Sequence, residues 1–300
     1  MRLPTIPYEF TVHPGAGLKA VGHQLAADGV LLEGESFWIL GRLAGKAQRI
    51  QAGTYRIDRP MTALDVIDKL ARGDVVFVEA LFVEGITLKQ WLAQLAVNPR
   101  VRQTIDGKTE KEIREALAEE HPLEGWLFPD TYRFAPGTPD IDIVRRAHST
   151  MKRRIAEAWS TRDGTIPLKS SYEALILASI VEKETALASE RPMVASVFMN
   201  RIKRGMRLQT DPIVIYGMAE RFDGSIRKRD LATDTPWNTY TREGLPPTPI
   251  AMPGMASLRA ATHPAESAYL YFVARGDGSH EFSRTLEEHN KAVAKYQLGK

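Results

Sequence analysis

The run Ala174–Val181 (ALILASIV) is apolar or small at every position, and two carboxylates, Glu182 and Glu184, follow it at once. Ser170 and Glu173, three apart and just before the run, predict a helix start with Ser170 as N-cap and Glu173 as the capping-box acid. A helix that is apolar on every face is central. At about 100° per residue, Glu184 stacks over Ile180, Val181 and Leu177. Glu182 points about 200° away, over Ala178, Ser179 and Leu175. Only one of the two acids can therefore face a given cleft. A carboxyl held against apolar surface ionises reluctantly, so its pKa rises. That is what a general acid needs near neutral pH. The same pattern also fits the solvated end of an ordinary helix, and this segment alone leaves both readings open.

Elsewhere the pattern predicts shorter elements. Phe10–Val12 is strand-like, residues 13–17 turn, and Leu18–Ala27 is amphipathic. Tyr55–Ile57, Asp58–Pro60 and a helix over Ala63–Leu70 capped by Thr62 repeat that order, as do Ala80–Val83, Glu84-Gly85 and Leu88–Leu95 behind Thr87. Residues 97–168 read as mainly helical. The interruption Leu123–Tyr132 carries three aromatics beside Gly and Pro, and is either a packing corner or a sugar-stacking surface. A helix is predicted over Arg191–Lys203 with Pro192 in its first turn, then a polar turn at Leu208–Pro212. Residues 235–249 are too rich in Pro and Gly for regular structure, and ordered loops of this kind often line binding clefts. Tyr269–Ala274 is the clearest strand, turned by Gly276–Gly278 onto a partner at His280–Phe282. The class is α+β.

Composition narrows the chemistry. Three hundred residues, 43% hydrophobic and 26% charged, describe ordinary globular protein, of about two domains on the length prior. Forty basic against 37 acidic residues gives only +3. No dense basic stripe interleaved with aromatics argues for nucleic acid. The short clusters Lys203, Arg204, Arg207 and Arg227, Lys228, Arg229 are a solvated face or a contact for an anionic polymer or membrane surface. The absence of cysteine removes disulfides, thiol catalysis and cysteine metal sites. The histidines show no metal-ligand spacing, and His263 and His280 read as hydrogen-bonded structural residues. No phosphate loop or dinucleotide fingerprint occurs. No apolar run approaches the ~20 residues of a membrane span, and Met1–Pro4 lacks a signal-peptide core.

The segments EGWLFPDTY (124–132), ASIVEKET (178–185), RLQTDP (207–212), NTY (238–240), GLPPTPIAMPG (244–254) and YLYFVARGDGSHEFS (269–283) with EEHN (287–290) occur in one order. In that order the chain resembles the endolytic murein transglycosylases of the MltG, or YceG-like, family, closely from Glu124 onward and more loosely before it. The resemblance implies a small N-terminal LysM-like α/β module at 9–80, a linking, mainly helical subdomain at 81–168, and a mixed helical and β catalytic domain with long ordered loops at 169–300.

It further implies endolytic cleavage of the MurNAc–GlcNAc β-1,4 bond within nascent strands, leaving 1,6-anhydro-MurNAc ends and limiting strand length, with no metal or cofactor. In lytic transglycosylases the acid precedes a small hydroxyl residue; Glu184-Thr185 matches this, so Glu184 is the expected catalytic acid/base, with Glu182 and Thr185 supporting. Gln209, Asp211, Asn238 and Tyr240 match motif positions expected to bind glycan, or else close loops. Implied partners are peptidoglycan strands and, by analogy, peptidoglycan polymerases and the elongation or division machinery. Family members carry an N-terminal membrane helix, and this chain starts where one would end; the implied location is the cytoplasmic membrane, through a single anchor missing from this chain, with the bulk periplasmic. Two other classes remain: a hydrolytic muramidase with Asp211 as second carboxylate, and a non-catalytic glycan-binding scaffold.

Overall fold

The structure, a computed structural model, describes residues 6–299. In chain order its first elements are β1 (Tyr8–Val12), α1 (Leu18–Ala27), α2 (Gly34–Leu43), β2 (Gly53–Ile57), α3 (Ala63–Arg72) and β3 (Val78–Leu81). Then come α4 (Leu88–Ala96), β4 (Val101–Arg102), α5 (Glu110–Ala116), β5 (Thr131–Phe134), β6 (Thr138–Pro139) and α6 (Asp140–Ser160). The remainder is α7 (Ser171–Glu184), α8 (Arg191–Lys203), α9 (Asp211–Met218) with a 3-10 turn at Ala219–Arg221, α10 (Lys228–Ala232), α11 (Met255–Thr262), β7 (Tyr271–Ala274), β8 (His280–Ser283) and α12 (Leu286–Gln297). The class is mixed α+β, as expected. The chain divides into two compact units. One comprises residues up to Ala80 with Pro99–Arg102 and Tyr132–Pro139; the other comprises Leu81–Asn98, Gln103–Thr131 and everything from Asp140.

In the first unit β1 and β2 pair antiparallel, with Phe10 opposite Tyr55. Alternation turns Phe10, Val12, Tyr55 and Ile57 onto a core shared with Leu18, Val21, Leu25, Phe37, Ile67 and Leu70. The strand–turn–helix segments are real, but they are not independent copies: β1 finds its partner in β2, across the unpredicted helix α2. That helix carries two glycines and begins at Glu33 without a side-chain cap, so it lacks the usual start signal. One of its glycines is required. A Cβ on Gly22 of α1 would lie 2.6 Å from the Gly34 carbonyl oxygen, so the two helices cross at backbone contact. The third strand–turn–helix segment differs again, because β3 pairs with β5 from far along the chain. Residues 97–168 are accordingly less helical than expected, with β4, β5 and β6 interrupting them.

In the second unit α7 is the central element. Every residue from Ala174 to Val181 is buried, and α6, α8, α9 and α11 pack around it. The Ser170 hydroxyl accepts the Glu173 N–H at 3.2 Å. The Glu173 carboxylate reaches one residue beyond the capping box and takes the Lys169 N–H at 2.7 Å. The aromatic interruption is a packing corner: Trp126, Leu127 and Phe128 are all buried. Gly125 (φ +82°) turns this corner, and a Cβ there would lie 2.4 Å from Pro249. Asp211, expected in a turn, opens α9. β7 and β8 pair antiparallel with Phe272 opposite Phe282, as the turn at 276–278 predicts.

Because α7 is enclosed on all sides, truncation inside it leaves a cavity its neighbours cannot collapse into. Leu177→Ala is expected to cost about 2–5 kcal/mol of unfolding free energy, read from the urea midpoint; a loss under about 1 kcal/mol would mean that the helix is not the packing centre.

Candidate active site

The last turn of α7 sends its two acids into two different cavities. Glu182 lines one of about 580 Å3 together with Glu84, Thr185 and Arg191. Glu184 lines another of about 540 Å3 together with Arg201, Gln209, Thr210, Asp211, Tyr240 and Tyr271. The helical spacing alone predicts this division.

Glu182 is saturated. Its side chain is 4% exposed and pairs with Arg191 at 2.8 Å. Its other oxygen accepts the Gly254 N–H at 2.9 Å and the Ser257 hydroxyl at 2.7 Å. The Glu84 side chain packs against Gly254, and a Cβ there would lie 1.7 Å from its carboxylate and displace it. With both oxygens engaged, Glu182 ties α7 to α8 and α11 and has no free lone pair directed at a reacting atom.

Glu184 is held differently. The Thr210 hydroxyl donates to Oε1, and Oε2 has no protein partner among the described residues. The carboxyl is pushed up to about 7, first by burial, then by the negative charge of Asp211, while the Thr210 hydrogen bond and His280 oppose the rise. Position adds a reason: Glu184 ends α7, where the unpaired helix carbonyls disfavour a negative side chain. At neutral pH the group is divided between acid and base, as proton transfer in both directions requires.

A raised pKa does not by itself mark the acid. Burial also pushes Glu124 up to about 7. Yet the two Glu124 oxygens accept the Leu88 N–H at 3.0 and 3.1 Å, and Tyr216 donates to one of them at 3.2 Å. Glu124 therefore serves the start of α4. Glu119, another buried acid, is held down at about 2; burial works against ionisation there, and the bonds from His121, Lys152 and His148 outweigh it. Of these carboxyls, Glu184 alone combines a raised pKa, an unengaged oxygen and a cavity.

The other predicted site residues fall unevenly. Gln209, Asp211 and Tyr240 share the Glu184 cavity. Gln209 has φ +51° and accepts a bond from Arg201 at 3.3 Å, while Tyr240 donates to Asp211 at 2.5 Å. Asn238 is buried at a loop centre. Its Nδ2 donates to the Asp230, Leu231 and Thr233 carbonyls at 3.2, 3.0 and 2.7 Å, and its Oδ1 accepts the Tyr240 N–H at 2.9 Å. Thr185 lies on the Glu182 side, its hydroxyl accepting the Leu187 N–H at 3.1 Å. The hydroxyl that serves Glu184 is that of Thr210. The sequence also gives no sign of Arg201, 8% exposed, which anchors the cavity wall by donating to the Leu270, Arg207 and Leu208 carbonyls at 2.7, 3.0 and 2.9 Å. His263 and His280 are hydrogen-bonded as expected, His280 Nδ1 lying 2.7 Å from Glu190 and His263 Nδ1 3.0 Å from the Thr262 hydroxyl, and His280 also lines the Glu184 cavity. Among the described residues no cluster of acids or histidines could hold a metal ion.

One protonatable carboxyl, facing a cavity walled by aromatic rings and hydrogen-bonding groups, defines an acid–base site suited to a polar substrate. The YceG-like family model matches residues 10–295, and the chain belongs to that family. An endolytic murein transglycosylase of Bacillus subtilis (strain 168) is 33% identical over 94% of this chain and 82% of its own length. An endolytic murein transglycosylase of Streptococcus pneumoniae serotype 2 is 26% identical over 94% of this chain and 57% of its own. A crystal structure of a YceG-like protein from Listeria monocytogenes superposes with a TM-score of 0.61 at 30% identity, covering 95% of this chain and 98% of that one.

The Thr210 bond stabilises the carboxylate form, so its removal is expected to raise the Glu184 pKa further. In Thr210→Val, the midpoint of the Glu184 carboxyl carbon followed by NMR is expected to move above its native position near 7; an unchanged or lower midpoint would contradict the assignment of Thr210.

Proposed function

We propose that this chain is an endolytic peptidoglycan lytic transglycosylase, with Glu184 as its single catalytic acid and base. The observation that carries this is the lone half-buried carboxyl with one oxygen held by Thr210 and the other unengaged. The names of the relatives support the substrate class. Protonated Glu184 donates its proton to the glycosidic oxygen as the MurNAc C1–O4 bond breaks. The C6 hydroxyl of the same MurNAc closes on C1, and its proton returns to Glu184. The product is a 1,6-anhydro-MurNAc end, no water is consumed, and the enzyme is regenerated. Such cuts within nascent strands limit their length. Gln209, Asp211, Tyr240 and Arg201 position the sugar or stabilise its developing positive charge. Glu182 and Thr185 support the turn that presents Glu184, and Asn238 supports the loop that presents Tyr240.

The reading extends to the rest of the chain. Residues 9–80 act as a LysM-like glycan grip, which the two helices enclosed between paired strands support. Residues 81–168 link it to the catalytic part, 169–300. No helix of the described residues is long and apolar enough to cross a membrane. The polymer lies outside the cytoplasm, so the bulk of the protein acts there, held at the cytoplasmic membrane and working beside peptidoglycan polymerases and the elongation or division machinery. A second reading has one observation in its favour: Asp211 shares the cavity and its charge acts on Glu184. A hydrolytic muramidase would use it to hold a water.

Product analysis decides between them. Native protein acting on uncrosslinked strands is expected to leave anhydro ends by mass spectrometry, whereas reducing ends indicate hydrolysis. Glu184→Gln is expected to abolish cleavage while remaining folded, with Glu182→Gln milder; full activity in Glu184→Gln overturns the assignment. Because the acid must be protonated to donate, the native rate is expected to fall as pH rises through about 7.

The grip has its own test. Deleting residues 9–80 is expected to weaken cleavage of long strands more than of short oligosaccharides, since remote binding energy is realised only when substrate reaches it. An equal loss at all lengths, in a variant folded by circular dichroism, removes the module from substrate binding.

A further inference from the structure

The cluster Arg227, Lys228, Arg229 is not absorbed by the acid–base chemistry. The structure sets two of these residues, Arg227 and Arg229, around a separate cavity of about 290 Å3, with Arg221, Asp223, Asp230, Met218 and Thr235 among its walls. Two of its groups are occupied: Arg227 pairs with Asp223, and its backbone N–H donates to Asp230 at 2.9 Å. Arg229 reaches Asp230 only at 3.7 Å. Arg221 has no ion-pair partner among the described residues. Three guanidiniums against two carboxylates leave the cavity cationic, with Arg221 and Arg229 the least engaged.

This cavity and the catalytic one border the same two elements. Asp211 and Pro212 at the start of α9 line the Glu184 cavity, while Val214, Gly217 and Met218 further along the same helix line the arginine cavity. The loop after α10 does the same, with Thr233 and Thr235 on one cavity and Tyr240 on the other. The two ends of α9 are roughly 10 Å apart along its axis. Three or four residues of extended peptide, at about 3.3–3.6 Å each, cover that distance.

We propose that the arginine cavity binds the terminal carboxylate of the short peptide carried by a peptidoglycan strand while the sugar bearing it occupies the Glu184 cavity. This rests on the transglycosylase reading and adds a substrate feature to it: the enzyme prefers strands that still bear peptides. Guanidinium forks suit a carboxylate, which they hold by paired charge-assisted bonds. A membrane surface fits less well. Bilayer attraction draws on clusters of four to eight basic residues, whereas these arginines line a cavity of about 290 Å3 with acids in its wall.

The test compares native protein with Arg221→Gln/Arg229→Gln, two exposed positions outside the core, on two substrates: uncrosslinked strands bearing peptides, and the same strands stripped of peptide by an amidase. The expected result is a KM roughly tenfold to a hundredfold higher for the variant on peptide-bearing strands, and equal kinetics of the two proteins on stripped strands. Equal kinetics on both, or an equal loss on both, overturns the proposal. Calorimetry with the free stem peptide and Glu184→Gln separates this failure from failure of the transglycosylase reading, because it needs no cleavage. Binding is expected for the peptide with a free C-terminal carboxylate and is expected to be lost on amidation of that carboxylate or in the arginine variant. No binding, or equal binding of the amide, overturns the proposal, as does arginine-dependent sedimentation with anionic phospholipid vesicles without peptide binding.

Discussion

The complete burial of Ala174–Val181 in α7 is the constraint on which the second unit depends. A helix with a solvent face can place a carboxylate anywhere along that face at little cost. A helix enclosed on all sides cannot, because an ionised group inside would lose several kcal/mol of hydration. The acids are therefore confined to the two ends of the helix, Glu173 in its first turn and Glu182 and Glu184 in its last. There the 3.6-residue period divides them. Two residues of separation put Glu182 and Glu184 on opposite flanks, and each flank meets different elements. Packing thus produces one saturated carboxylate and one with an unengaged oxygen from the same short motif.

The division is electrostatic as well as geometric. Glu182 meets a guanidinium, a backbone N–H and a hydroxyl, a set that compensates a buried charge and occupies both oxygens. Glu184 meets one hydroxyl and the negative charge of Asp211, at the helix end least hospitable to an anion. Asp211 occupies the opposite situation, in the first turn of α9, where free N–H groups favour a negative side chain. Two helix termini of opposite polarity thus meet at one cavity. The acid with the raised pKa sits on the carbonyl end of one, and the carboxylate of Asp211 sits on the amide end of the other.

What the sequence discloses of this follows from the range of the interactions. The central helix, its N-cap at Ser170, the Pro192 start of α8 and the 276–278 turn depend on neighbours within a few residues, and all were legible. The opposed directions of Glu182 and Glu184 were legible for the same reason, since period alone sets them. Helix α2 was not, because its start has no capping side chain and Gly34 serves a backbone crossing with α1. The pairing of β3 with β5 was not, because the partner lies some fifty residues on. Thr210, Arg201 and Glu124 act through contacts between distant segments, which no local spacing encodes. The hydroxyl beside the acid shows the limit clearly. The sequence neighbour, Thr185, continues past the helix end in extended conformation and turns to its own loop, while a threonine from the start of α9 fills the position.

The long segment between α10 and α11 has almost no regular hydrogen bonding, yet a catalytic wall must be rigid. Side chains supply the missing order. Asn238 satisfies three carbonyls of the preceding stretch and one N–H of the following residue pair, which fixes the loop on both sides of itself. Trp237 donates to the Thr248 hydroxyl at 3.1 Å, closing the loop onto its later portion, and the Arg207 guanidinium holds the Tyr240 carbonyl at 3.1 Å. Tyr240 is thereby held at the point where its hydroxyl reaches Asp211. A motif residue such as Asn238 therefore has a physical role without touching the cavity: it replaces the ladder of a sheet with a hub of four bonds. A site whose second carboxylate, Asp211, is held by the Tyr240 hydroxyl depends strongly on such a wall, because the orientation of a bound molecule must come from the surroundings.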